Sequence, residues 1–163
     1  MLEDIKDARE RWGGVSELID RWLRERQELI VQYCDITGMD DFSDLPAAQN
    51  RFHRLCEILL DYVSAGHFEV YEQLVHEARD FDDGGVELIG KVYPRIQKTT
   101  ENALSFNDRV NGDLNSEEAI KALMPALSEL GEQLETRFEL EDFLIEHLHN
   151  VHAEQVMSSA ESS

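Results

Sequence analysis

The sequence predicts an all-α protein, an antiparallel up-and-down four-helix bundle with a short extra N-terminal helix. Two observations carry that prediction. Apolar residues recur at spacings of three and four through most of the chain, which is the period of one helix face, and no strand-like alternation competes with it. The 3 Pro and 9 Gly gather at a few points, so the periodic stretches are long and the loops between them short. Long amphipathic helices joined by short loops fold back on their neighbours. A chain of 163 residues supports one hydrophobic core, so residues 1–157 are expected to form a single domain. The small polar tail 158–163 is expected to be disordered.

Each element carries its own start and stop signals. Residues from Leu2 to Trp12 read as a short helix ended by Gly13-Gly14, and the first long helix runs from about Val15 to Thr37 and stops at Gly38. Asp44 can cap the second helix, with Pro46 in its first turn. This helix reaches a Ser64-Ala65-Gly66 step and resumes through Tyr71, Leu74 and Ala78. Asp82-Asp83-Gly84-Gly85 is a loop. The third helix spans Val86 to about Val110, bent near Pro94. Asn111-Gly112-Asp113 is a turn, and Asn115 or Ser116 caps a fourth helix that reaches about Gln155, kinked at Pro125.

Charges interrupt the inward seams. The fourth helix reads Leu123, Leu127, Leu130, Leu134, Arg137, Glu141, Leu144, Leu148, Val151, with Arg137 and Glu141 four apart and able to pair. The first helix reads Val15, Ile19, Trp22, Arg26, Leu29, Tyr33, Ile36, and the third Val92, Ile96, Thr99, Ala103, Phe106. Charges at such positions are costly unless paired and hydrogen-bonded, so Arg26, Arg137 and Glu141 are expected to meet near the bundle axis, Glu141 being the shared acceptor. Thr99 is the polar member of the third seam, and His67, beside Gly66, is expected to turn toward the same interior. The cluster reads either as a buried network that fixes register or as a polar cavity for a small molecule or anion.

On the opposite side of the second helix, Glu57, Asp61, Ser64, Phe68 and Glu72 recur at three- and four-residue steps. An exposed aromatic among carboxylates suits contact with a basic partner. The balance of 35 acidic against 15 basic residues, a net charge of −20, points the same way. It opposes direct binding to nucleic acid or to an anionic membrane. No signal peptide or membrane span is read, and Cys34 and Cys56 are expected to be reduced and buried in a cytoplasmic protein. A carboxylate-bridged metal site needs two Glu-x-x-His motifs, and Glu146 to His149 is the only one; His149 and His152 offer at most a weak site. No nucleophile motif or phosphate-binding loop is present, so neither an enzyme nor a cofactor is expected.

Three blocks resemble a known family. Asp61-Tyr62-Val63-Ser64-Ala65-Gly66-His67-Phe68-Glu69-Val70-Tyr71-Glu72 is similar to the signature of the Rsd/AlgQ family. Leu18-Ile19-Asp20-Arg21-Trp22-Leu23 resembles its first-helix motif, and Arg137-Phe138-Glu139-Leu140-Glu141-Asp142 its fourth-helix motif. Arg11-Trp12-Gly13-Gly14 and Tyr93-Pro94 are most similar to the AlgQ branch, named for alginate regulation. The resemblance implies an anti-sigma bundle. Such a protein binds the C-terminal domain of the primary sigma factor, a basic helix-turn-helix module that reads the promoter −35 element and docks on core RNA polymerase. Sequestering it frees core enzyme for alternative sigma factors in stationary phase. Carried over by position, Asp61, Ser64 and Phe68 fall in the sigma-contacting segment, and Asp20 in the first-helix motif joins the partner-facing set. The alternative is a bundle that binds a small molecule or metal through the interior polar cluster.

Overall fold

Residues 2–81, 85–112 and 114–150 are described by the computed structural model, with side-chain surroundings for 17–66, 69–76, 86–112 and 114–147. They contain helices and no strand. Helix α1 spans Leu2–Thr37, α2 Leu45–Ala65, α3 Tyr71–Phe81, α4 Gly85–Gly112, α5 Glu117–Ala122 and α6 Met124–Leu144. A π-helical turn, Gly66–Val70, joins α2 to α3, and a second, Ile145–Asn150, extends α6.

α1 differs from expectation. It runs unbroken through Gly13-Gly14, so there is no separate N-terminal helix. Glycine weakens a helix by roughly 1 kcal/mol against alanine, but does not forbid it as proline does. The caps fall where the sequence places them: the Asp44 carboxylate accepts from Ala47 N–H at 3.3 Å with Pro46 in the first turn, and the Ser116 hydroxyl accepts from Ala119 N–H at 3.1 Å. Pro94 lies inside α4, which continues through it. Pro125 does more than kink the fourth helix. α5 closes at Leu123, whose N–H reaches Ile120 O at 3.0 Å, and α6 starts afresh with Pro125 in its first turn. Proline has no N–H to continue the ladder, and its ring crowds the carbonyl one turn back, so the break falls just ahead of it.

The helices pack around one core. α1 lies on α2, with Trp22 facing Tyr62, Glu28 facing Arg54 and Asp35 facing Arg51; one number falls as the other rises, so the two run antiparallel. Arg26 meets Asp142 and Tyr33 meets Leu127, which sets α1 antiparallel to α6 as well. α4 packs on α6 and α2. The Gln49 side-chain amide donates to Leu114 O at 2.6 Å and pins the loop before α5 to α2. Leu29, Ile36, Phe52, Leu55, Leu59, Ile96, Leu127 and Leu130 are buried at the centre.

Cys56 is buried, and burial pushes its thiol up to about 12. Cys34 departs from expectation and is exposed. Leu29 and Ile36 set the buried face of α1, and Cys34 falls about 100° round the helix from their neighbour Tyr33. Val15, Leu148 and Val151 of the predicted seams, the tail 158–163 and most of the Asp82–Gly85 loop lie outside the residues with described side chains.

Candidate functional site

The polar members of the seams converge on Glu141, which is 1% exposed, beside Arg137, which is 0% exposed. α6 carries both, one turn apart, with Arg137 Nε 3.3 Å from Glu141 Oε2. That nitrogen is close enough for ion pairing but lacks a properly aligned hydrogen bond. Arg26, reaching in from α1, places Nη2 3.5 Å from Oε1 and donates through Nη1 to Asp142 at 2.6 Å. The predicted trio is therefore one cluster.

The closest partners of Glu141 are two tyrosines that the seams did not single out. Tyr62 of α2 donates its hydroxyl to Oε1 at 2.6 Å, and Tyr71 of α3 donates to Oε2 at 2.5 Å. The network spreads from there. Arg26 Nε donates to the Tyr62 hydroxyl at 2.9 Å, and Arg137 Nη2 to the Tyr71 hydroxyl at 3.2 Å. Arg137 Nη1 donates to Thr99 at 3.1 Å and Thr100 at 2.7 Å, which ties α4 into the cluster. Trp22 stacks on Tyr62 with centroids 4.9 Å apart and donates its indole N–H to Tyr62 O at 3.2 Å. The Arg26 guanidinium lies 4.7 Å from the Phe138 ring centroid. Cation–π contact adds attraction at little desolvation cost.

Burial raises the Glu141 pKa from its ordinary value; Arg137, the two tyrosine hydroxyls and Arg26 all pull it down. Two cations and two hydroxyl donors around its two oxygens favour the charged form and oppose the larger effect of burial. The same burial, reinforced by the Glu141 charge, raises both tyrosines far above the usual phenol value. These groups are engaged with one another, which favours the network reading over an open polar cavity.

The π turn makes this geometry. Tyr62 and Tyr71 are nine residues apart, about half a turn out of phase on a regular α-helix. The wider turn at Gly66–Val70 takes up the extra residue and brings Tyr71 round to the side of Tyr62. Gly66 opens that turn for a second reason. A Cβ there would stand 3.1 Å from Trp22 Cζ2 and 3.3 Å from Arg137 Nη2. A glycine in mid-helix on the apolar phase was the available sequence signal; the π register was not visible. Thr100, next to Thr99, was missed because it sits off the seam line.

Asp20, Glu57, Asp61, Ser64 and Glu72 are exposed. Glu57, Asp61 and Ser64 lie on α2, and the π turn shifts the helix beyond it by about one residue, which brings Glu69 toward their line and leaves Glu72 beside that of Ser64. Glu25 of α1 joins the same face: burial, then the charges of Asp61 and Glu69, raise its pKa. The backbones of His67 and Phe68 lie in the π turn, and their side chains are outside those described. His149 lies in the second π turn without a described side chain, and His152 lies outside the described residues altogether. Among the described residues no group of three His, Cys, Asp or Glu is placed to hold a metal ion, and no helix is long and apolar enough to cross a membrane.

Residues 1–149 match the family model described as regulator of RNA polymerase sigma(70) subunit, Rsd/AlgQ. The chain belongs to the Rsd/AlgQ family. It is 34% identical over 148 residues to "Regulator of sigma D" of Yersinia enterocolitica, covering 90% of this chain and 89% of that one. It is 32% identical over 149 residues to the protein of the same name from Salmonella arizonae, covering 89% of this chain and 90% of that one. The Rsd/AlgQ match takes in all five helices that build the Glu141 cluster and the acidic residues of α1 and α2.

Proposed function

We propose that this chain binds the C-terminal, DNA-binding domain of the primary sigma factor and sequesters it from promoter and core RNA polymerase, which favours alternative sigma factors in stationary phase. The observation that carries this reading is membership, over residues 1–149, of a family described as regulating the sigma(70) subunit. Charge supports it. A domain that reads DNA must present cations to phosphate, and a chain of net charge −20 competes for those cations. Asp20, Glu57, Asp61 and Ser64, with Phe68 and Glu72 beyond them, form the partner-facing set, and Glu25 and Glu69 extend it. The chain acts by occupying a surface rather than by catalysis, in the cytoplasm where the polymerase works.

The test is titration of the purified chain with the isolated sigma C-terminal domain and, separately, with the remainder of sigma. Expected is saturable binding to the C-terminal domain alone, competed by promoter DNA, with Asp61→Lys weakening it about tenfold or more through charge reversal. Binding confined to the remainder of sigma would move the contact to another domain. Failure to bind either piece would overturn the reading.

A further inference from the structure

The acidic face is built from both sides of the π turn. Asp61 and Ser64 precede it, Glu69 lies within it, Glu72 comes after it, and Glu25 of α1 feels Asp61 and Glu69 together. The angle between the two halves is set by how many residues the turn contains. A regular α-helix through the same residues would rotate everything beyond Gly66 by about 100°. The residues on each side are already helical, so the chain has two registers available, and something must choose between them.

The contacts that distinguish the registers are the two tyrosine hydroxyls. Tyr62 lies one turn before Gly66, and Tyr71 directly follows Val70, so they bracket the turn. Only the π register lets both reach one carboxylate, at 2.6 Å and 2.5 Å. That carboxylate is itself held. Arg137 stands 3.3 Å from one oxygen and is anchored on Thr99 and Thr100 of α4, while Arg26 approaches the other oxygen from α1. The turn is thus referenced to α1, α4 and α6 through a single side chain. Slipping to the α register would leave Glu141 Oε2 without its hydroxyl donor in a site that water does not reach, and an unmet buried charge is costly.

We propose that Glu141 is the positioning residue of the docking segment: its carboxylate takes the Tyr62 and Tyr71 hydroxyls on separate oxygens, selects the π register at Gly66–Val70, and so sets the angle between Asp61–Ser64 and the residues beyond the turn. This rests on the sigma-binding reading and adds to it a buried determinant that touches no partner. The docking surface is a two-register element, and the Glu141 cluster biases it.

The experiment compares Tyr71→Phe and Glu141→Gln with Tyr33→Phe. Tyr71→Phe removes one hydroxyl and keeps the ring, and Glu141→Gln leaves one acceptor oxygen for two hydroxyls. Tyr33→Phe is the control: it deletes a hydrogen bond to Leu127 O of 3.0 Å at the α1/α6 contact, away from the turn. Three quantities are read: affinity for the sigma C-terminal domain, stability in denaturant, and hydrogen exchange of the amides of residues 66–70. Tyr71→Phe and Glu141→Gln should weaken binding about tenfold and speed exchange at 66–70, the scale set by losing a hydrogen bond to a charged acceptor. Tyr33→Phe should lower stability while leaving binding and that exchange unchanged. The proposal is overturned if exchange at 66–70 is unaltered in both variants, or if it quickens while affinity stays at the wild-type value. If Glu141→Gln does not fold, Tyr71→Phe carries the comparison alone. If wild-type chain does not bind the domain, the partner reading fails, and the exchange measurement still decides whether the cluster holds the turn.

Discussion

Glu141 sits out of water with two hydroxyls and two guanidinium groups around its two oxygens, and its substitutions separate desolvation from pairing. Glu141→Ala leaves Arg137 buried without its carboxylate and should cost about 3–5 kcal/mol in denaturant unfolding. An exposed pair such as Lys121–Glu117, 3.4 Å apart, should cost under about 1 kcal/mol when broken. The pH dependence has a definite sign. Burial raises the folded pKa of Glu141 above its unfolded value, so the folded chain holds that proton more tightly. Its contribution is fully present below the unfolded pKa and is lost as pH rises through the folded one. The stability difference between wild type and Glu141→Gln should therefore change with pH above the ordinary carboxylate range and level off beyond the raised value. A difference that is flat from acid to neutral pH would refute the raised pKa. At this scale Arg26, Arg137 and Glu141 were legible, because charges on apolar seams must find each other. The tyrosines were not, because a tyrosine on an apolar face looks like packing until its hydroxyl has a visible partner.

Two glycines decide how elements meet. At Gly66 a Cβ would press on Trp22 and Arg137, which are themselves locked by stacking and hydrogen bonds. Gly66→Ala should therefore destabilise the chain by about 1–3 kcal/mol, although alanine is the better helix former. At Gly131 of α6 a Cβ would collide with the Tyr33 hydroxyl. Tyr33 is only partly buried and can swing outward, at the loss of its bond to Leu127 O, so Gly131→Ala should cost about 1 kcal/mol. If thermal melts rank the two in the opposite order, the Trp22–Arg137 layer yields more readily than its contacts imply. Helix ends were legible from Asp44, Ser116 and Gly38, because capping is local chemistry. The break at Leu123 was half legible: Pro125 announced a disturbance, but whether a helix bends or restarts depends on what the freed carbonyl meets. The π turn had no comparable mark beyond Gly66.

For the whole molecule, charge governs approach and shape governs fit. Association with the sigma domain should slow steeply between low and physiological salt, because steering between an acidic face and a basic one is screened over about 8–10 Å. Dissociation should change much less; association rates that ignore ionic strength would show that steering plays no part. Phe68→Ala is expected to weaken binding by about 2 kcal/mol or more while leaving the melting temperature close to wild type. A large fall in melting temperature would instead assign Phe68 to the core, where truncation costs about 3–5 kcal/mol. The two readouts together decide its place.

The sequence by itself determined the helical class, most helix limits, the inward seams and the acidic character of the exposed side of the second helix. Each is a property of periodicity, caps or composition, and depends only on residues near one another along the chain. The tertiary structure decided what depends on register between distant segments. It merged the N-terminal helix into α1, turned Cys34 outward, and drew Glu25 and Glu69 toward Asp61. It also brought Tyr62 and Tyr71, half a turn apart in any regular helix, onto the two oxygens of one buried carboxylate. A single inserted residue in a helix changes the facing of everything after it, and that choice is made by the side chains waiting on other helices, here Glu141 between Arg26 and Arg137.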